Sequence, residues 1–309
     1  MNENIDLSVN ISGVILKNPV IAASGTFGYG REYSDIFDVS RLGGICTKAL
    51  TLFPRSGNSG MRIWETTGGI LNSIGLENPG IPTFLEKELP FLTGLGPAVI
   101  ANLSGSDADE YIKGASLLNE TCIDMIELNI SCPNVKKGGM AFGLDAQTAG
   151  SLVSEVRRAC ADKPLIVKLS PNAPFLSSVA LACVNAGADA LSLVNTFKAM
   201  AIDTGSRKPV FDNITAGLSG PAVKPIALRM VWELFSDLKN ANAQVPVIGI
   251  GGISNFNDAL EFLMAGACAV QTGSAVFSNP HAMIEIIDCL QNYMKNNKIK
   301  SLSEISIRN

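Results

Sequence analysis

The sequence predicts an α/β protein folded as a (β/α)8 barrel, or TIM barrel, with a small N-terminal β-hairpin and long βα-loop insertions. Short β-rich runs alternate with longer helical stretches along the chain, and eight such runs can be assigned as strands. The runs are continuously apolar, as parallel strands buried on both faces should be. Glycines suited to phosphate binding follow the last two runs rather than the first.

The elements can be assigned in chain order. Residues 5–17 contain two short extended runs around Gly13, which predict the hairpin. The apolar runs predicted as barrel strands are residues 19–24, 43–50, 97–103, 124–131, 165–170, 190–196, 246–252 and 269–275. The helical stretches are residues 107–119, 146–160, 175–186, 221–238, 257–265 and 282–295. Gly187 and Gly266 follow two of these stretches, as left-handed C-caps do.

An open doubly wound sheet is the alternative arrangement. That fold carries a glycine-rich signature after its first strand, and here Gly28 and Gly30 lack the third glycine. Insertions over residues 51–80, 132–145 and 197–219 all follow strands, so they are expected on the catalytic face as lids or substrate clamps. The sequence contains no linker, internal repeat or low-complexity tract, and residues 1–309 are therefore predicted as one domain.

Composition and charge narrow the possible functions. Hydrophobic residues make up 47% of the chain and charged residues 17%, which fits a large core or a sizeable protein interface. The formal net charge of -4 argues against a nucleic-acid partner. No apolar run reaches the roughly 18 residues of a membrane span, and residues 1–7 lack the layout of a signal peptide. We therefore expect a cytoplasmic protein with no membrane association.

The cysteines do not form a pattern typical of disulfides or metal sites. Their number is odd and none lies in a CxxC pair, so we expect no disulfide framework, zinc ribbon, iron–sulfur cluster or other metal site on this chain. Most are expected to be small core residues. The seven positions are Cys46, Cys122, Cys132, Cys160, Cys183, Cys268 and Cys289.

Polar side chains stand at the predicted carboxyl ends of the strands, where the side chains of a barrel converge on one site. They are Ser24, Lys48, Asn102, Asn129, Lys168, Asn195 and Thr196. Buried lysines and asparagines are costly unless paired, so the set indicates a polar ligand. Glu127 lies inside the fourth strand, and the site is therefore expected to offer cations and amides without carboxylates. That suits an anionic substrate and an electron-rich cofactor.

A second cluster consists of Gly251 and Gly252 after the seventh strand and Gly273 and Ser274 after the eighth. Barrels commonly bind phosphate at this place through backbone N–H groups, so the cluster predicts a phosphate site. Tight turns without a ligand are the alternative.

Cys132 is the candidate for proton transfer because it directly follows the fourth strand. Pro133 restricts it to extended geometry, and Lys136 and Lys137 would increase the thiolate fraction of a group whose usual pKa is near 8.5. A buried inert cysteine is the alternative. The only histidine, His281, lies at the start of the last helix, so neither histidine catalysis nor a Ser–His–Asp triad is predicted.

Seven motifs together resemble the catalytic subunits of class 1 dihydroorotate dehydrogenases of the NAD-linked type B. They are residues 24–30 (SGTFGYG), 47–49 (TKA), 72–78 (NSIGLEN), 129–134 (NISCPN), 168–170 (KLS), 217–222 (GLSGPA) and 249–252 (GIGG). The resemblance covers nearly the whole chain. It implies oxidation of dihydroorotate to orotate in pyrimidine synthesis, with one FMN per chain and Cys132 as the catalytic base. The membrane-bound class has serine in that role.

The resemblance also implies the binding residues. The FMN contacts would be Ser24, Lys48, Ala49, Asn102, Asn129, Lys168, Val194, Gly220, Gly251, Gly252, Gly273 and Ser274. The substrate contacts would be Lys48, Asn72, Ser73, Ile74, Gly75, Leu76, Asn129, Asn195 and Thr196. Lys168 would stabilise the negative charge of reduced FMN, and the asparagine amides can donate to and accept from a pyrimidine edge. Ser73 and Ser274 are small departures from the pattern.

This chain has neither an NAD fingerprint nor cluster ligands. The same resemblance implies where the electrons go. A partner subunit would carry FAD and a 2Fe–2S cluster and pass electrons to NAD+, in a heterotetramer built around a homodimer of catalytic subunits. The alternatives are a fumarate-linked type A enzyme, an FMN enzyme similar to dihydropyrimidine dehydrogenase, a phosphosugar isomerase or aldolase barrel without flavin, and a binding barrel without activity.

Overall fold

A short hairpin precedes the barrel. The computed structural model describes residues 5–131 and 142–307. In it, strand β1 (Val9–Ile11) pairs antiparallel with β2 (Val14–Leu16), and the turn between them has positive φ at Ser12 and Gly13. The hairpin predicted for residues 5–17 is therefore confirmed.

The other strands, in chain order, are β3 (Val20–Ala22), β4 (Gly44–Cys46), β5 (Ile63–Thr66), β6 (Gly69–Asn72), β7 (Ala98–Leu103), β8 (Met125–Asn129), β9 (Leu165–Lys168), β10 (Ala190–Leu193), β11 (Phe197–Met200), β12 (Ile202–Asp203), β13 (Lys208–Pro209), β14 (Thr215–Ser219), β15 (Val247–Ile250) and β16 (Ala269–Thr272). Within the described residues, β3, β4, β7, β8, β9, β10, β15 and β16 form a closed barrel of parallel pairs. This confirms the (β/α)8 fold.

The helices, in chain order, are α1 (Arg31–Ser34), α2 (Ile81–Thr83), α3 (Leu89–Gly94), α4 (Ala108–Asn119), α5 (Ala146–Ala159), α6 (Leu176–Asn185), α7 (Lys224–Asn240), α8 (Phe256–Met264), α9 (Ala275–Ser278) and α10 (Ala282–Asn297). Side-chain caps start several of them. Asp107 Oδ1 accepts from Glu110 N at 3.0 Å, and Asp145 Oδ2 accepts from Thr148 N at 2.8 Å. In the described part of the chain, no helix is long and apolar enough to cross a membrane.

The barrel strands end earlier than the apolar runs predicted. The run 43–50 contains only Gly44–Cys46 as strand, and the run 190–196 only Ala190–Leu193. Beyond these strands the backbone also bonds to residues outside any strand: Lys48 N donates to Gly28 O at 3.1 Å and Asn195 N to Leu169 O at 3.2 Å. Lys48 and Asn195 therefore lie on loops at the mouth rather than on strands.

The amino-terminal end of the barrel is filled with apolar side chains. Ile11 and Leu16 of the hairpin pack there in one cluster with Ile21, Ile100, Met125, Ile166, Ala190, Ile248 and Ala269. The next residue along a strand packs in the larger outer cluster, as Ile126 does after Met125. Strands alternate their faces with a period of two, so the first set lies inside the barrel and the second against the helices.

The sequence suggested that the insertions at residues 51–80 and 197–219 are loops, but both contain strands. They contribute strands to one antiparallel sheet in the order β11-β14-β6-β5, with Gly217 opposite Asn72 and Phe197 opposite Leu218. The sequence pattern does not reveal this sheet, because its strands are short and two of them come from each insertion. A helical segment, α2 to α3 through a π-helical turn at Phe84–Glu88, was also missed.

Candidate active site

A polar layer lies inside the barrel, directly above the apolar cluster. Its members follow inward-facing apolar residues by two positions, so they face the interior as well. They are Asn102, Glu127, Lys168, Ser192 and Gln271, which follow Ile100, Met125, Ile166, Ala190 and Ala269. All are almost entirely buried.

Glu127 is at the centre of this layer, with no exposed surface. Its carboxylate accepts hydrogen bonds from other barrel strands: at Oε1 from Asn102 Nδ2 (2.7 Å), Cys46 Sγ (3.1 Å) and Lys168 Nζ (3.3 Å), and at Oε2 from Gln271 Nε2 (2.7 Å) and Ser192 Oγ (2.8 Å). Both oxygens are therefore occupied, which is what a buried charge needs to be tolerated.

The ionisation of this layer follows from its contacts. Burial raises the pKa of Glu127, but the Lys168 ammonium and the hydrogen bonds from Cys46, Gln271 and Ser192 outweigh burial and hold that pKa below its usual value. Burial and the Glu127 charge raise the pKa of the Cys46 thiol well above its usual value. Glu127 is therefore a carboxylate paired with Lys168, and Cys46 is a neutral thiol that donates to it.

Two polar atoms of the layer, and a third on the residue after Gln271, lack a hydrogen-bond partner among the described residues. Asn102 Oδ1 and Gln271 Oε1 are buried without a hydrogen bond, and so is the Thr272 hydroxyl. Each buried, unsatisfied group costs about 1–3 kcal/mol, so several at the carboxyl end of one barrel indicate a ligand that supplies partners. The two amides turn these oxygens away from Glu127 because their nitrogens donate to it.

The ends of β8 and β10 are joined above this layer. Asn195 Nδ2 donates to Asn129 Oδ1 at 3.1 Å, and Thr196 N donates to Asn195 Oδ1 at 2.8 Å. Asn129 lies opposite Lys168 in the parallel register of β8 and β9. The structure thus brings these four predicted site residues to one place at the mouth.

The antiparallel sheet brings Asn72 to the same place. Asn72 Nδ2 donates to Gly217 O at 3.1 Å. A Cβ added to Gly217 would lie 2.2 Å from Thr196 Oγ1 and 3.4 Å from Asn72 Nδ2, so both side chains flank this glycine. The sheet formed by the insertions therefore carries Asn72, a predicted substrate residue of the first insertion, to the mouth beside Thr196.

The segment that follows Asn72 is held by its own hydrogen bonds. Ser73 Oγ accepts from Asn58 Nδ2 at 3.0 Å, and Ile74 O accepts from Asn58 N at 2.9 Å. Gly75 and Leu76 both have positive φ, which forms a tight turn. Lys48 Nζ lies 3.7 Å from Glu77 Oε2. The Lys48 side chain is 28% exposed, so it reaches solvent at the mouth.

The predicted phosphate glycines lie close to other predicted FMN residues. A Cβ on Gly251 would lie 3.1 Å from Val194 Cγ2, and one on Gly252 would lie 2.9 Å from Gly220 O. Val194, Gly220, Gly251 and Gly252 thus lie together, and the backbones of Gly220 and Gly252 approach each other closely. Gly273 follows β16, the strand that pairs with β15, and a Cβ built on it would have Ala23 Cβ as its nearest neighbour at 3.6 Å.

Alanine at Gly251 should destabilise the protein, whereas alanine at Gly273 should be tolerated. Gly251 has φ +129°, and its added Cβ would lie 2.7 Å from Ala227 Cβ. Gly273 has no positive φ and only ordinary contacts at that position. We expect Gly251→Ala to cost more than about 1 kcal/mol in urea unfolding and Gly273→Ala less. Equal costs for both variants would contradict the close packing at Gly251.

The remaining predicted residues are placed as follows. Ala23 N donates to Thr272 O at 2.9 Å, so Ser24 and Gly273, the next residues, lie just past the ends of the neighbouring strands β3 and β16. Ser274 is the N-cap of α9. Ala49 is 8% exposed and follows Lys48. Cys132, the predicted base, and the rest of residues 132–141 lie outside the described residues. His281 is exposed at the start of α10.

One expectation about the site was wrong. The sequence suggested cations and amides without carboxylates, but Glu127 is in direct contact with Lys168 and Asn102. Cys46, which belongs to the apolar cluster below the layer, was not identified as a donor to Glu127. Gln271 and Ser192 were also not identified as members of this layer. The available signal was their spacing, since a polar residue two positions after an inward apolar one must face the interior.

Comparisons with known proteins agree with the motifs. The family profile described as dihydroorotate dehydrogenase matches residues 6–294. A Petrotoga mobilis protein named dihydroorotate dehydrogenase B (NAD(+)), catalytic subunit, is 58% identical over 301 residues, which cover 97% of this chain and 98% of that protein. A Geotalea daltonii protein of the same name is 52% identical over 97% of both chains. Another, from Caldicellulosiruptor saccharolyticus, is 49% identical over 97% of this chain and 98% of that protein.

These similarities extend over nearly the full length of the chain and of its relatives. They confirm the family that the sequence motifs indicated. The chain belongs to the dihydroorotate dehydrogenase family.

Proposed function

We propose that this chain is the catalytic subunit of a cytoplasmic, NAD+-linked dihydroorotate dehydrogenase. It oxidises (S)-dihydroorotate to orotate in de novo pyrimidine (UMP) biosynthesis, using FMN bound at the mouth of the barrel. The observation that carries this proposal is the polar layer, where the Lys168 ammonium lies with the unpartnered oxygens of Asn102 and Gln271. Family membership supplies the reaction class.

The residues at the mouth fit FMN. Lys168 keeps two N–H donors beyond its contact with Glu127, which suits the oxygen and nitrogen acceptors of a flavin pyrimidine edge. The Asn102 oxygen has no donor, so it is free to accept a hydrogen bond from a flavin N–H. The glycine backbones can approach a phosphate closely. The proposed FMN residues are Ser24, Lys48, Ala49, Asn102, Asn129, Lys168, Val194, Gly220, Gly251, Gly252, Gly273 and Ser274.

The substrate is proposed to bind between the antiparallel sheet and the ends of β8 and β10. Lys48 offers a cation for the carboxylate of dihydroorotate, since its only described ion pair is a long contact with Glu77. The amides of Asn72, Asn129 and Asn195 can each donate and accept, as the ring edge needs. The proposed substrate residues are Lys48, Asn72, Ser73, Ile74, Gly75, Leu76, Asn129, Asn195 and Thr196.

Cys132 is proposed as the catalytic base. Its thiolate would take the proton from C5 of dihydroorotate, while the hydride leaves C6. Bound FMN would supply the acceptor for that hydride. Lys168 would hold positive charge where the reduced ring gains negative charge, and Glu127 would keep Lys168 in place.

The spectrum of the purified chain tests the proposal. We expect a yellow protein whose released flavin is FMN and whose visible absorbance bleaches when dihydroorotate is added without oxygen, with formation of orotate. Dihydrouracil, which lacks the carboxylate, should bleach it far more slowly. A colourless chain would favour an isomerase or aldolase, and faster bleaching by dihydrouracil would favour a dihydropyrimidine dehydrogenase-like enzyme.

The electron route to NAD+ is proposed to use a partner subunit that carries FAD and a 2Fe–2S cluster. The names of the relatives, which describe catalytic subunits, support a separate partner. Exposed apolar side chains on the edge strands of the antiparallel sheet, Ile63, Trp64 and Met200, support a subunit interface. We propose a homodimer of this chain within a heterotetramer.

Expression of the chain alone and with its partner tests this route. NAD+ reduction by dihydroorotate should need both subunits, which should co-purify in equal amounts. Efficient reduction of fumarate by the chain alone would instead identify a type A enzyme.

A further inference from the structure

Glu127 has more contacts than an ion pair with Lys168 requires. It is on β8, and its donors are on β4, β7, β9, β10 and β16, so one carboxylate connects most strands of the barrel. Both of its oxygens accept from side chains that face the mouth or lie just below it. The function proposed above uses Glu127 only to keep Lys168 in place.

The orientation of two amides depends on this carboxylate. Asn102 and Gln271 each donate an amide N–H to Glu127, which leaves their amide oxygens buried without a partner among the described residues. A carboxylate can only accept, so neither amide can turn over without placing an oxygen against an oxygen. A glutamine at residue 127 would both donate and accept, and this constraint would be lost.

The charge of Lys168 depends on the same group. Lys168 is 5% exposed, and Glu127 Oε1 lies 3.3 Å from its Nζ. A buried ammonium without a counter-ion favours loss of its proton. Among the described residues, the titratable groups in hydrogen-bond contact with Glu127 are Lys168 and Cys46, and Cys46 is a neutral donor. Glu127 is thus the anion that keeps Lys168 charged.

We infer that Glu127 is a positioning residue for the flavin: it holds Lys168 charged and directs the Asn102 and Gln271 oxygens toward the bound ring. This inference rests on the proposed function, because it presumes FMN above the polar layer. It adds a role for a residue that does not contact the flavin. It also explains why a carboxylate lies beneath a site that must accept negative charge: its partner cation remains charged before and after reduction.

The pH dependence of the flavin reduction potential tests the inference. With Lys168 charged in both redox states, the wild-type protein should take up one proton per two electrons at alkaline pH. In Glu127→Gln, Lys168 should lose its proton in the oxidised protein and regain it on reduction, so the uptake should rise to two protons per two electrons. The visible band of the bound flavin should also shift, because amide orientation is no longer constrained.

Ser192→Ala is the matched control, since it removes one hydrogen bond to Glu127 and leaves the charge. It should keep the wild-type proton uptake. An unchanged proton uptake and spectrum in Glu127→Gln would overturn the inference, and so would the same change in Ser192→Ala. If Glu127→Gln fails to fold or to hold FMN, the test uses Glu127→Asp and the wild type. Each should take up one proton per two electrons, and an uptake of two protons by either protein would overturn the inference.

The outcome separates this inference from the proposed function. A wild-type chain that holds no FMN, or whose FMN is not reduced by dihydroorotate, contradicts the function. A wild-type chain that is reduced by dihydroorotate, together with a Glu127→Gln variant indistinguishable from it, contradicts only the role of Glu127.

Discussion

Replacing Cys132 with serine should slow flavin reduction by dihydroorotate by about 10²–10⁴-fold, while FMN stays bound. A thiol with a pKa near 8.5 is partly ionised at neutral pH, whereas a serine hydroxyl is a much poorer base. The pH at which the variant works best should therefore move upward. Stopped-flow absorbance measurements of the loaded protein at several pH values would give both effects.

The control for this substitution is Cys122→Ser, because Cys122 is an exposed free cysteine. The FMN of this variant should be reduced by dihydroorotate at the wild-type rate. Turnover of Cys132→Ser at the wild-type rate and with an unchanged pH profile would remove Cys132 from the role of base.

Replacing Lys168 with methionine should destabilise the fold by about 3–5 kcal/mol near neutral pH, because it leaves the Glu127 carboxylate buried without its cation. Urea unfolding of the chain without flavin would measure this cost. The double variant Lys168→Met with Glu127→Gln should recover most of it, since no charge is then buried. Arg229→Met, which removes an exposed ion pair with Glu233, should cost only about 0.3–0.5 kcal/mol.

The pH dependence of this cost has a defined sign. In the wild type the pKa of Glu127 is lowered from 4.5, so its contribution to stability is present above that pH and is lost as pH falls through the lowered pKa. Without Lys168 the pKa of Glu127 should be raised, and the variant should lose stability as pH rises from 4.5 toward the raised pKa. A variant whose stability does not fall over that range would contradict the buried ion pair.

The barrel could be predicted because its strands are apolar on both faces. Met125 packs inside the barrel and Ile126 against the outer helices, so the run is continuous and easily recognised. The start of α4 could be placed closely because Asp107, the first residue of the predicted helical stretch, caps it. Strand ends were less accurate, because the apolar run continues into loops whose backbone hydrogen bonds no local pattern reveals.

The partners within the polar layer and within the antiparallel sheet could not be predicted from local patterns. Glu127 contacts Asn102, 25 residues away in sequence, and Gln271, 144 residues away. Asn72 and Gly217, which join the two insertions, are 145 residues apart. A single chain gives no sign of which distant polar residue will be the partner. The mouth residues could be predicted because the carboxyl ends of parallel barrel strands always converge.

A crystal structure of the chain with FMN and orotate would test most directly whether the mouth of the barrel is the flavin site. We expect the pyrimidine edge of the flavin within hydrogen-bond distance of Lys168 Nζ and Asn102 Oδ1, and orotate against Asn72 and Asn195, with Cys132 on its other face. Flavin density elsewhere on the chain, or the Lys168 and Asn102 atoms left without the ligand, would contradict it.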